Sequence, residues 1–115
     1  GNTNLLEGRL DPARATFAVD GLGELPAPAG QGTALSVRPH ALAVAAPDEE
    51  RSAARLWFDA EVESTEFLGE FTRYEVSVGR HRFIADTPHF MRVPLFARGA
   101  RVALGLDPKE LRLLP

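Results

Sequence analysis

Leu35-Ser36-Val37-Arg38-Pro39-His40-Ala41-Leu42-Ala43-Val44 lies over Leu104-Gly105-Leu106-Asp107-Pro108-Lys109-Glu110-Leu111-Arg112-Leu113 at a constant offset of 69 residues, and the ungapped match reaches back to Gly30 and Gly99. The alternating apolar residues, the proline and the leucine three positions after it all coincide. A repeat at fixed offset is the mark of two half-domains built on one design. Each copy reads as a strand, a proline-started turn and a returning strand. The expected fold is therefore all-β, an OB-like small barrel or barrels made of two similar half-repeats, with a one-turn helix after each Pro turn.

The rest of the chain follows the same grammar. Period-two alternation broken by glycine and proline every eight to twelve residues is the signature of short strands, and helical periodicity of useful length is missing. Leu6 to Leu10 reads as a first strand. Thr16 to Val19, Asp20-Gly21 and Leu22 to Leu25 read as a hairpin on an Asp-Gly turn, closed by Pro26 and Pro28. Leu56, Phe58, Ala60 and Val62 alternate inward on a long strand with Trp57, Asp59 and Glu61 on its other face, and Tyr74, Val76 and Val78 repeat the pattern before a Gly79-Arg80 turn. The opening strands match as well, Leu6-Glu7-Gly8-Arg9-Leu10 over Phe58-Asp59-Ala60-Glu61-Val62. The whole chain, 1–115, is thus expected to be one domain of half-repeats at about 1–47 and 56–115, joined by an acidic linker at about 46–54. Thr87 to Phe96 breaks the symmetry: Phe90, Met91, Val93, Leu95 and Phe96 are set either to plug a barrel end or to present a sticky surface.

Composition narrows the function. A chain of 115 residues can bury roughly two thirds of the surface its unfolded form would expose, enough for one real core. No apolar run approaches the ~18 residues of a membrane span, and the start lacks the basic and apolar regions of a secretory signal. Gly1-Asn2-Thr3-Asn4, without an initiating methionine, reads as the start of a piece excised from a longer chain. Zero cysteines excludes a disulfide framework or thiolate metal site and fits a reducing compartment. A net charge of −3 counts against nucleic acid as partner, because neutralising phosphates calls for a basic surface. Trp57 and Phe71 are thin support for base stacking.

No catalytic group emerges. Ser36, Ser52, Ser64 and Ser77 sit in no nucleophile elbow, and Glu61 and Glu63 fall on one strand face as a wetted pair. His40, His81 and His89 lack metal-site spacing, and no phosphate-binding loop of the G-x-x-x-x-G-K-[ST] type is present. Neither a catalytic nor a cofactor or metal site is expected. What stands out is a contrast between the two copies of the turn. Asp107-Pro108-Lys109-Glu110 has the form of a helix start, with Asp107 as N-cap, Pro108 first in the turn and Glu110 placed to close a capping box. In the first copy Arg38 takes the cap position before Pro39 and cannot accept a backbone hydrogen bond. Arg38 with His40 therefore reads as an anion-binding or subunit-contact point, or as an internal ion pair between the halves. Arg80-His81-Arg82, the densest basic spot, reads as a second anion candidate through Arg80 and Arg82, or as a solvated turn.

In sequence the chain resembles the C-terminal TOBE domain, the transport-associated OB-like domain, of ATP-binding subunits of bacterial ABC importers. The resemblance rests on Asn4-Leu5-Leu6-Glu7-Gly8, Val37-Arg38-Pro39-His40, Glu66-Phe67-Leu68-Gly69 with Tyr74-Glu75-Val76, Gly105-Leu106-Asp107-Pro108 and Leu111-Arg112-Leu113-Leu114-Pro115, in that order. His40 departs from the acidic residue the family commonly has there, so no ion pair is carried over to this turn. The resemblance implies a cytoplasmic, non-catalytic regulatory module at the inner face of the membrane, helping two ATP-binding subunits associate. It implies a second copy of that subunit as partner, with a regulatory protein or small anion as further candidates and permease subunits as the link to the membrane. ATP and magnesium would belong to a separate ATPase domain. The importer group it looks most like handles ferric iron, polyamines, sulfate and similar solutes. A sensor of small oxyanions is the second function it allows, and an oligonucleotide-binding OB domain the third.

Overall fold

The repeated stretch folds the same way twice. In the computed structural model, which describes residues 3–89 and 95–115, the first copy forms strand β5 (Ala34–Val37), a 3₁₀ turn (Pro39–Ala41) and β6 (Leu42–Ala45). The second forms β10 (Arg101–Leu106), a 3₁₀ turn (Pro108–Glu110) and β11 (Arg112–Leu114). Proline at the head of each turn pre-sets φ where no backbone N–H is needed. Ahead of the first copy come β1 (Asn4–Glu7), β2 (Arg9–Asp11), β3 (Thr16–Val19) and β4 (Gly23–Pro26); ahead of the second come β7 (Leu56–Phe67), β8 (Phe71–Val78) and β9 (His81–Pro88).

Each half completes the other's sheet. β5 pairs with β11, and β10 pairs with β6, so the strand after each proline turn crosses to the opposite copy. The registers are related by the 69-residue shift: Leu35 faces Leu113 as Leu104 faces Val44, and Ser36 faces Arg112 as Gly105 faces Ala43. Four strands of the second half and β6 of the first form one five-stranded sheet in the order β6-β10-β7-β8-β9. The strands of the first half and β11 of the second repeat that order in two three-stranded sheets, β11-β5-β1 and β2-β3-β4, with β1 and β2 in the place of β7. Leu6 faces Leu35 as Phe58 faces Leu104, which places the two opening strands in the correspondence expected from sequence.

The expected strand from Leu6 to Leu10 is broken at Gly8. A Cβ on Gly8 would run into the carbonyl oxygen of Ala18 and stand 2.6 Å from Cε1 of the fully buried Phe17. Backbone approaches this close are reserved for glycine. Gly8→Ala is therefore expected to destabilise the fold by about 2 kcal/mol, as overpacking of a rigid site does, measurable as a lower urea midpoint.

The hairpin after β3 turns at Asp20 to Leu22, with Gly21 at a φ of 82° and Leu22 N–H bonded to the Val19 carbonyl. Pro26 is the last residue of β4, paired with Thr16, on an edge strand where proline is tolerated. The linker carries bonds of its own: the Glu49 carboxylate accepts from Ala46 N–H, and Arg51 donates to the Pro47 carbonyl. β7 carries a bulge between Val62 and Ser64, which re-aims this long strand.

Buried side chains of both halves form one cluster: Leu6, Phe17, Leu25, Leu35 and Val37 pack with Val62, Tyr74, Val76, Phe83, Leu104, Leu106 and Leu111. Phe90, Met91 and Val93, expected to plug the barrel or stand exposed, lie outside the described residues. Of that segment, Phe96 packs against the core, its N–H bonded to the Tyr74 hydroxyl, and Leu95 is exposed. No helix among the described residues is long and apolar enough to cross a membrane.

Candidate anion-binding site

Arg38 is held at the end of β5 by the residue that follows it. A residue before proline is driven to extended backbone, and Arg38 has φ −74° and ψ 147°. Its carbonyl accepts from Ala41 N–H, while Pro39 and Ala41 turn inward and are buried. Arg38 and His40 are left exposed, on the same side as Ser36. No ion pair to Arg38 is found among the described residues, so the internal clamp between halves is not formed.

Strand exchange brings the other wall. β11 lays Arg112 directly across from Ser36, and the turn before it brings Glu110 alongside. Together with Thr3, Val37 and Leu114 these residues line an open cleft of about 530 Å³ between the two proline turns. Arg112 is braced there, donating from Nη1 to the carbonyls of Lys109 and Leu111, both at 3.0 Å. Thr3 donates its hydroxyl to the Val37 carbonyl at 3.3 Å. The cleft holds two permanent guanidinium charges against one carboxylate, with hydroxyl groups between them. Donors of this kind match a small oxyanion, since a guanidinium fork meets two oxygens at once. Among the described residues no hydrogen bond joins the Thr3 or Ser36 hydroxyl to His40.

The second turn is capped, but not by a capping box. Asp107 Oδ1 accepts from Lys109 N–H at 2.9 Å, the second residue of the turn, and no bond returns from Glu110 among the described residues. A three-residue 3₁₀ turn is too tight for the reciprocal geometry of an α-helix start. Glu110 instead faces the cleft.

Arg80 and Arg82 are elsewhere. Arg80 Nη2 donates to the Asp20 carbonyl at 3.2 Å, and His81 Nε2 lies 2.6 Å from the same oxygen, so this spot joins the hairpin turns of the two halves. Arg82 pairs with Glu75 at 3.0 Å in an exposed cross-strand contact. His89 sits between the Gly69 carbonyl and Thr72 Oγ1, and no group of three or more His, Asp or Glu among the described residues could hold a metal. Trp57 lies against Gly105 rather than presenting a free face for a base.

Sequence reasoning singled out Arg38 and His40, which line this cleft, but neither Arg112, which lines it with them, nor Asn4. Arg112 joins the site only through strand exchange, which no local signal announces. Asn4 is 7% exposed, and its carboxamide stitches strands together: Nδ2 donates to the carbonyls of Val37 at 3.2 Å and Ile84 at 2.9 Å, and Oδ1 accepts from Ile84 N–H at 2.7 Å.

The protein-family profile described as "TOBE domain" matches residues 35–114. No curated protein matches the chain. Among solved structures, the cytoplasmic molybdate-binding protein ModG, in a PEG-grown form with molybdate bound, superposes with a TM-score of 0.67 over 98% of this chain and 96% of that one. Identity between the two is 10%, a likeness of fold.

Proposed function

The chain belongs to the TOBE domain family, and from that membership we propose that it is a non-catalytic regulatory module that holds a small oxyanion in the cleft beside Arg38. The observation that carries this reading is an arginine with no ion pair among the described residues, at the mouth of a cleft whose opposite wall is a second, braced arginine. A fold neighbour that binds molybdate, itself an oxyanion, supports the same ligand class. Its setting in this proposal is the ATP-binding subunit of a cytoplasmic-side ABC importer, where bound solute would bias the pairing of two such subunits. Among solutes of the ferric iron, polyamine and sulfate group, the cleft favours the tetrahedral anions.

Subunit association without a ligand is the second reading. Leu5, 58% exposed, and Leu114, 37% exposed, flank Ser36 and Arg112 on the outer face of the β1-β5-β11 sheet, and exposed apolar side chains beside a polar centre are what a protein contact buries.

A thermal-shift panel separates the two readings. Sulfate, phosphate, molybdate and tungstate are each compared with a sodium chloride series, and ferric citrate and spermidine serve as chemically different solutes. An anion at about 100 times its dissociation constant adds roughly 2.7 kcal/mol, a rise of several degrees for a domain of this size. A selective rise with one or more tetrahedral anions is expected. A flat response across the panel would overturn the anion reading and leave association.

A further inference from the structure

Internal symmetry predicts a second cleft, and the structure shows what fills its place. Across the first sheet Ser36 and Arg112, which line the open cleft, stand in one row with Leu5. In the pairing of the other sheet the corresponding row is Trp57–Gly105–Ala43, with Gly105 and Ala43 related to Ser36 and Arg112 by the 69-residue shift and Trp57 facing Gly105 as Leu5 faces Ser36. Resting on the anion reading of the first cleft, we infer that Trp57 is the plug of a second, closed cleft, so that the chain binds one oxyanion where its repeat would allow two.

Three independent features close the second position. The indole of Trp57 lies flat on Gly105: a Cβ there would stand 2.7 Å from both Cη2 and Cζ3 of the ring. Where the first cleft has a serine hydroxyl, the second has a glycine covered by an aromatic ring. The ring is pinned, since Nε1 donates to the Ser52 carbonyl at 2.8 Å and the Arg51 guanidinium lies 5.8 Å above its centroid. Arg55 stands one residue before β7 as Thr3 stands one residue before β1, and its Nη1 donates to the carbonyls of Ala41 at 3.0 Å and Gly105 at 3.4 Å. The charge is reversed at the decisive point. Asp107 replaces Arg38, and its carboxylate caps Lys109 N–H. A carboxylate in that place repels the ligand that Arg38 attracts.

Closing one of two related clefts changes the behaviour of a regulatory module. One site per chain gives a simple hyperbolic response to ligand, whereas two coupled sites permit cooperativity within the chain.

Equilibrium dialysis against molybdate, with sulfate in parallel, reads the number of sites. One anion per chain is expected for the natural protein. Two per chain would overturn the plug while leaving the Arg38 reading intact; no binding of either anion would overturn both. The quadruple variant Ala43→Arg, Trp57→Ala, Gly105→Ser, Asp107→Arg, in which Ala43→Arg supplies the counterpart of Arg112, shown by circular dichroism to keep its strands, is expected to bind two, and a folded quadruple variant that still binds one refutes the inference. A ligand-free arm guards against a variant that fails to fold. Gly105→Ala alone is expected to lower the melting temperature, because the new methyl meets the indole, and the same change in a Trp57→Ala background is expected to have little effect. Equal losses in the two backgrounds would show that the indole is not seated on Gly105, and would overturn the plug without any ligand.

Discussion

Asn4→Ala is expected to lower the melting temperature by roughly 10–15 °C. Asn4 is nearly buried and its carboxamide acts as one more strand residue at the seam where β1 meets β9. Truncation leaves the N–H and carbonyl of Ile84 and a bond to the Val37 carbonyl without their partner. Each orphaned buried group costs about 1–3 kcal/mol, so a total of about 3 kcal/mol is the expected loss, and in a domain of this length each kcal/mol moves the midpoint by roughly 4 °C. The pseudo-equivalent seam explains why leucine cannot substitute. There Leu56 takes the place of Asn4 and Pro26 that of Ile84, and proline has no N–H to satisfy. Asn4→Leu is therefore expected to be nearly as damaging as Asn4→Ala. Asn4→Asp keeps the acceptor for Ile84 N–H but sets a carboxylate against two carbonyls in a buried site. Burial and those carbonyls would raise its folded-state pKa above the unfolded value, so its deficit should shrink as the pH falls. A denaturation series of the three variants at neutral and acidic pH checks the account.

Arg38→Ala is expected to weaken oxyanion binding by about 10- to 100-fold while leaving the ligand-free melting curve almost unmoved. A charge-assisted hydrogen bond contributes about 1.5–3 kcal/mol, and the arginine fork can supply two. No ion pair depends on this side chain among the described residues, so its removal should stay within about 0.5 kcal/mol in stability. Arg38→Lys should recover only part of the affinity, because a point charge does not reproduce the planar fork. Titration calorimetry with whichever tetrahedral anion raises the melting point gives the ratio. An unchanged affinity in Arg38→Ala would move the site away from this turn, and a large loss of ligand-free stability would make Arg38 a structural residue.

How much of this was legible depended on whether the cause was local. The repeat could be read because proline and alternating leucines fix turn and strand within a few residues, and Pro39 and Pro108 do start identical turns. The contrast between Arg38 and Asp107 was legible for the same reason. Strand exchange was not, since pairing β5 with β11 joins residues far apart in sequence and leaves no trace in either segment. Arg112 therefore entered the sequence reading only as part of the repeat and of the closing motif, with no site assigned to it. Gly8 read as a strand residue because the Ala18 carbonyl that forbids a side chain there comes from a neighbouring strand. Trp57 was placed on the outward face correctly, but its cover over Gly105 depends on the pairing of β7 with β10. Asn4 gave no signal beyond its type, because a buried amide is revealed only by the partners around it.

Anomalous diffraction from a tungstate-soaked crystal of the chain tests the central claim most directly, because tungsten marks the anion's position without reference to any variant. The account predicts one strong peak per chain in the cleft between the two proline turns, within hydrogen-bond reach of Arg38 and beside Ser36 and Arg112. Tungstate bound only at the Arg80 and Arg82 surface, or no peak at a concentration that raises the melting point, would contradict it.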